Sequence, residues 1–114
     1  MMDHLPDHVD FGPYRAKITL APASDPDGEN HGEYLFLQHP EIRIDSWGDK
    51  ESASILLHEI IHFMSDCAGL DLEEPAVRHL EFCFASLLMA NPQLVLALMR
   101  GLTTSPNRHV PQSD

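Results

Sequence analysis

The stretch Ser54-Ile55-Leu56-Leu57-His58-Glu59-Ile60-Ile61-His62-Phe63-Met64 constrains this chain more than any other. It has the apolar spacing of a helix and carries two histidines four residues apart, with a glutamate directly after the first. Residues four apart on a helix lie one above the other, so both imidazoles can reach one ion from the same face. The glutamate between them is positioned to take a proton from a water at that ion. A chain built around such a helix must supply two more things: elements that bury its apolar side, and a third ligand.

The faces of this helix follow from about 100° per residue. With His58 at zero, His62 falls near 40°, Ile55 near 60°, Asp66 near 80° and Glu59 near 100°. Leu56, Leu57, Ile60, Ile61, Phe63, Met64 and Cys67 fill an arc from about 140° to about 300°. His58, Glu59 and His62 therefore share a stripe outside the apolar arc, and Ile55 within that stripe predicts that another element covers it. Eight histidines in 114 residues make chance spacings more common, but the shared stripe on a largely buried helix favours a site.

The rest of the chain predicts an α+β fold. Val9–Phe11 and Tyr14–Leu20 have strand character, with Gly12-Pro13 between them. Tyr14, Ala16, Ile18 and Leu20 alternate with Arg15, Lys17 and Thr19, the period of a half-buried strand. Ala21 to Gly32 is rich in Pro, Asp, Ser and Gly and reads as a loop. Glu33–Gln38 and Glu41–Asp45 read as two more strands around a turn at His39-Pro40. This gives a small, mostly antiparallel sheet of about three to four strands.

The second half is helical. Asp49 is the expected N-cap of a helix to Ala68, closed by Gly69. Asp71-Leu72-Glu73-Glu74 has capping-box spacing before a second helix to Ala90. Asn91-Pro92 opens a short third helix, Gln93 to Arg100, with Gly101 as its stop. One domain over 1–102 and a loose tail over 103–114 is the expectation. Cys67 and Cys83, each in a helical apolar segment, read as buried thiols.

Zinc needs at least a third protein ligand, with one position open if the site is catalytic. Asp66 lies two turns beyond His58, too far along the axis to converge with both histidines; it suits holding a histidine N–H or, as the stronger expectation, simple solvent exposure. On the second helix, Val77, Leu80, Cys83, Phe84, Leu87 and Leu88 define the apolar face. Glu74 and Glu81 sit two turns apart at its edge, and His79 points away. Glu74, one turn in after a short Gly-containing connection, is the preferred ligand, Glu81 the second and His79 the third. Capping alone is the rival role for Glu73 or Glu74.

Charge narrows the partners. Eighteen acidic against seven basic residues give a net charge of −11. The basic residues are scattered, which argues against a nucleic-acid backbone and in favour of cations. No apolar run approaches the roughly 20 residues that span a bilayer. The acidic N-terminus lacks the pattern of a signal peptide, so a cytoplasmic location is expected.

His58-Glu59-x-x-His62, a short connection and then Glu74-x-x-Val77 opening a helix resembles the ImmA/IrrE-like zinc metallopeptidases. It is similar also to small HExxH proteins of phage and prophage genomes. The similarity runs from about Val9 to Arg100 and takes in Ile42-Arg43-Ile44-Asp45 and Gly69-Leu70-Asp71-Leu72-Glu73-Glu74. After Glu74 the larger family often has Ala-Asn where this chain has Val77-Arg78. The resemblance implies a minimal zincin, with Zn2+ held by His58, His62 and Glu74, Glu59 as general base, and a peptide or protein substrate. Strand order suggests that such a substrate adds to the sheet along Glu41 to Asp45; the sequence singles out no residue for the oxyanion, with Tyr34, Arg78 and His79 as open candidates. The rival reading is a non-enzymatic interaction protein whose metal is structural, closed by His39, Asp45 or His79.

Overall fold

The computed structural model describes residues 4–22, 31–36 and 38–104. Most of the loop expected between Ala21 and Gly32, and the tail beyond Thr104, lie outside them. Four strands, β1 (His8–Phe11), β2 (Tyr14–Leu20), β3 (Gly32–Leu35) and β4 (Glu41–Ile44), precede three helices, α1 (Lys50–Ala68), α2 (Glu74–Ala90) and α3 (Pro92–Leu102). No single helix among the described residues is long and apolar enough to cross a membrane.

The sheet has the order β1-β2-β4-β3. β1 and β2 form an antiparallel hairpin around Gly12-Pro13, with Phe11 opposite Tyr14. β3 and β4 form a second, with Tyr34 opposite Ile42. The two hairpins meet through a parallel pairing of β2 with β4, in which Ile18 lies opposite Ile42. The sheet is thus mixed, antiparallel in two of its three pairings. β4 is an inner strand, so the expected docking edge at Glu41 to Asp45 does not exist: both neighbours of β4 are taken, and β1 and β3 are the edges. β3 ends at Leu35 rather than Gln38 because β4 offers only four residues to pair with.

The core follows from strand alternation. Ala16 and Ile18 on β2, with Ile42 and Ile44 on β4, point to one face and are buried against Leu56 and Phe63 of α1. The outer members of the predicted β2 face, Tyr14 and Leu20, are exposed at the strand ends. On α1 the deepest apolar positions are Leu56, Ile61 and Phe63, the last with no exposed surface. Its ring packs at a tilt against Tyr34 of β3, with centroids 5.9 Å apart.

α1 begins at a reciprocal cap. The Asp49 carboxylate accepts the Ser52 backbone N–H at 2.8 Å, and the Ser52 hydroxyl lies 3.1 Å from the Asp49 backbone nitrogen. The helix closes on Gly69 at φ 71°, the left-handed conformation that a residue with a Cβ adopts only at a cost. The second cap differs from expectation. Asp71 itself takes a positive φ of 53°, and α2 begins three residues later at Glu74, so the Asp71 capping box is not the start of the helix.

The chain divides into two compact units, one ending at Cys83 and the other beginning at Phe84 within α2. The first contains the sheet, α1 and the opening turns of α2, where Val77 is fully buried. The second contains the end of α2 and all of α3, whose apolar side chains Leu94, Leu96, Leu98, Met99 and Leu102 are exposed. α3 runs through Gly101 and is capped by Thr103, whose hydroxyl returns to the Met99 carbonyl. Cys83 is exposed and Cys67 half-buried, both as free thiols. Helical periodicity located the apolar face of α2 without revealing that Phe84, Leu87 and Leu88 remain exposed.

Two expectations test this account. Phe63→Ala should lower the unfolding free energy by about 3–5 kcal/mol in urea denaturation followed by circular dichroism. Asp49 has its pKa lowered below the ordinary value, chiefly by the Ser52 backbone N–H. A depressed folded pKa means stability present above the unfolded value and lost as pH falls through the folded one. Asp49→Asn keeps an acceptor but cannot titrate, so wild type should melt above it at neutral pH, with the gap closing below about pH 4.

Candidate metal centre

α1 and α2 present two stripes to each other. Ser54, His58 and His62 lie at four-residue intervals on α1, and Glu74 and Glu81 lie two turns apart on α2. The Glu74 carboxylate is shared between the two histidines: one oxygen is 2.9 Å from His58 Nε2 and the other 2.9 Å from His62 Nε2. One ligand atom from each of His58, His62 and Glu74 falls within 4.8 Å of the others, the only such group among the described residues. A zinc ion bonded at about 2.0–2.1 Å holds neighbouring ligand atoms roughly 3–4 Å apart, so the spacing fits.

The donor chemistry is more telling than the spacing. The second nitrogen of His58, Nδ1, lies 2.9 Å from Glu81 Oε1. A neutral imidazole has one N–H and an ionised carboxylate only accepts, so His58 can satisfy only one of its two carboxylates as a donor. With the hydrogen on Nδ1, the Nε2 lone pair faces a Glu74 oxygen. That contact is repulsive unless a cation or a second proton lies between them.

Glu59 is 9 % exposed and lies between the stripe and the sheet. Burial pushes its carboxyl above the ordinary value, against the opposing pull of His58 and His62. The close approach of β3 encloses it. A Cβ on Gly32 would sit 2.5 Å from Ile55 Cγ2 and 3.5 Å from Glu59 Cγ, so only glycine lets the edge strand pass this near the motif. The covering element that Ile55 predicted is therefore β3, and His58 and His62 are 15 % and 27 % exposed.

Compared with protein-family models, curated proteins and solved structures, the chain matches none.

The other residues singled out from the sequence separate cleanly. Glu81 stands on the far nitrogen of His58, not among the three clustered ligand atoms. Glu81 thus takes the second nitrogen of His58, while Asp66 is exposed, the stronger of its two expectations. Asp66 acts on Tyr34, whose pKa is raised first by burial and then by the Asp66 charge. The Tyr34 hydroxyl is sealed from solvent and, among the described residues, meets no partner at good hydrogen-bond geometry. Arg78 is exposed beside the Glu74 carboxylate, at 3.5 Å. His79 lines a hollow with Pro75, Arg78 and Phe82. Asp45 is paired with His31 at 2.7 Å, and His39 lines another hollow with Asp7 and His8. Sequence reasoning did not single out Ser54, whose hydroxyl donates to the second Glu81 oxygen. Its position one turn before His58 was the available signal. Gly32 was read only as the end of a loop.

Gly32→Ala should force Ile55 aside and cost about 1–3 kcal/mol, as overpacking does. Thermal melts should show the loss, and Ile55→Ala in the same chain should recover part of it.

Proposed function

We propose that this protein is a zinc-dependent peptide hydrolase with His58, His62 and Glu74 as ligands and Glu59 as general base. The observation that carries this reading is the Glu74 carboxylate set 2.9 Å from both Nε2 atoms while Glu81 occupies the other nitrogen of His58. Zinc held there would supply Lewis acidity and a water acidified enough to attack a carbonyl near neutral pH. Glu59 accepts the proton of the attacking water and delivers it to the leaving amine. Its burial, which raises the carboxyl pKa, brings it nearer the pH at which such a transfer is effective.

An extended substrate would lie along the outer edge of β3, the strand whose Gly32 abuts Glu59. A purely structural metal would need a fourth protein ligand to close its shell. Asp45 is engaged by His31, and His39 and His79 line hollows elsewhere, which supports a position left open for water. The resemblance to ImmA/IrrE-like metallopeptidases adds to the reading without carrying it.

Metal analysis should give one zinc per chain, lost in His58→Ala. Glu59→Gln should keep the zinc and the fold while lowering hydrolysis of casein or an unstructured peptide library by about 10²–10⁴-fold. Wild type that retains zinc and cleaves nothing in a broad library would remove the enzyme reading in favour of an interaction protein.

A further inference from the structure

We propose that Ser54 and Glu81 form a positioning relay for His58, in which Ser54 fixes the Glu81 carboxylate and Glu81 holds the Nδ1 hydrogen, so that Nε2 is kept as the metal-facing lone pair. This inference rests on the metal reading above and deepens it.

Three observations carry the relay. First, Glu81 spends both oxygens on α1: one is 2.9 Å from His58 Nδ1 and the other accepts from the Ser54 hydroxyl. An ionised carboxylate cannot donate, so the hydrogen in the first contact belongs to the ring. Second, the partners lie at helical register. Ser54 is four residues before His58, and Glu81 is seven after Glu74, so each element presents its pair from one stripe. A single docking of the two helices therefore makes the Ser54–Glu81, His58–Glu81 and His58–Glu74 contacts together. Third, the two histidines are treated unequally. Among the described residues, His62 is hydrogen-bonded through Nε2 alone, whereas His58 is held at both nitrogens. His58 is thus the more fully pre-set of the two ligands.

A negative partner on the far nitrogen also raises the basicity of the coordinating one, and loss of such partners typically weakens metal affinity 10–100-fold. Neither Ser54 nor Glu81 touches the reacting atoms in this scheme, so both act through His58.

The test uses the full chain and zinc alone. Zinc dissociation constants are measured by chelator competition for wild type, Ser54→Ala, Glu81→Gln and Glu81→Ala. The ring nitrogens of zinc-loaded, ¹⁵N-histidine protein are read by long-range ¹H–¹⁵N NMR. The relay predicts His58 coordinated through Nε2, with a slowly exchanging Nδ1 hydrogen. It further predicts a dissociation constant raised about 10–100-fold in Glu81→Ala. Glu81→Gln, which keeps an acceptor, should recover part of the loss and the slow hydrogen, and Ser54→Ala should show the smallest loss. Wild type that binds no zinc overturns the metal reading and the relay with it. Zinc bound equally by wild type and Glu81→Ala, or coordinated through His58 Nδ1, overturns the relay and leaves the metal reading standing. Should Glu81→Ala fail to fold by circular dichroism, Glu81→Gln and Ser54→Ala decide by the same two measurements.

Discussion

The shared carboxylate of Glu74, set 2.9 Å from a nitrogen on each of two histidines, is the contact through which the first turn of α2 is tied to α1. It is an electrostatically demanding contact. Three carboxylates, Glu59, Glu74 and Glu81, surround two imidazoles in a chain whose net charge is already −11. Arg78 is paired with this group as a fixed cation, exposed and 3.5 Å from Glu74. Under the proposed function, a cation at the convergence of the Nε2 atoms would relieve the carboxylates.

The sheet matters to this group because it sets how much room the motif helix has. Phe63 and Leu56 bind α1 to the inner face of β2 and β4, which fixes the rotation of the helix and so the direction in which His58 and His62 point. Glu59 then falls between that buried side and the histidine stripe, against an edge strand that can come close only because position 32 has no side chain. The burial that raises the Glu59 pKa and the packing that orients His58 and His62 are the same event.

Much of this was legible in the sequence, for reasons that can be named. Alternation in β2 and β4, the Asp49 cap and the Gly69 stop are local signals, and local physics decided them. The convergence of His58, His62 and Glu74 was legible because four-residue spacing on one helix meets a carboxylate one turn into the next. The parallel pairing of β2 with β4 was not, since strand character carries no information on neighbour order. That omission made Glu41–Ile44 look like an edge. Asp71 looked like a cap because its spacing was right, but its positive φ belongs to the turn, a choice made by how the chain enters α2. That Glu81 meets the second nitrogen of His58 depended on which helix faces meet, a tertiary fact.

The two hairpins of the sheet also shape the route to the native state. β1 with β2, and β3 with β4, can each zip locally on the microsecond scale, since their partners are near neighbours in the chain. The seam between them joins Ile18 to Ile42, the pairing of longest sequence separation in the sheet. Closing that seam is the one step in the sheet that must be searched for across a long stretch of chain, and it completes the face on which Phe63 and Leu56 rest. The placing of His58 and His62 therefore depends on a long-range pairing in which neither histidine takes part.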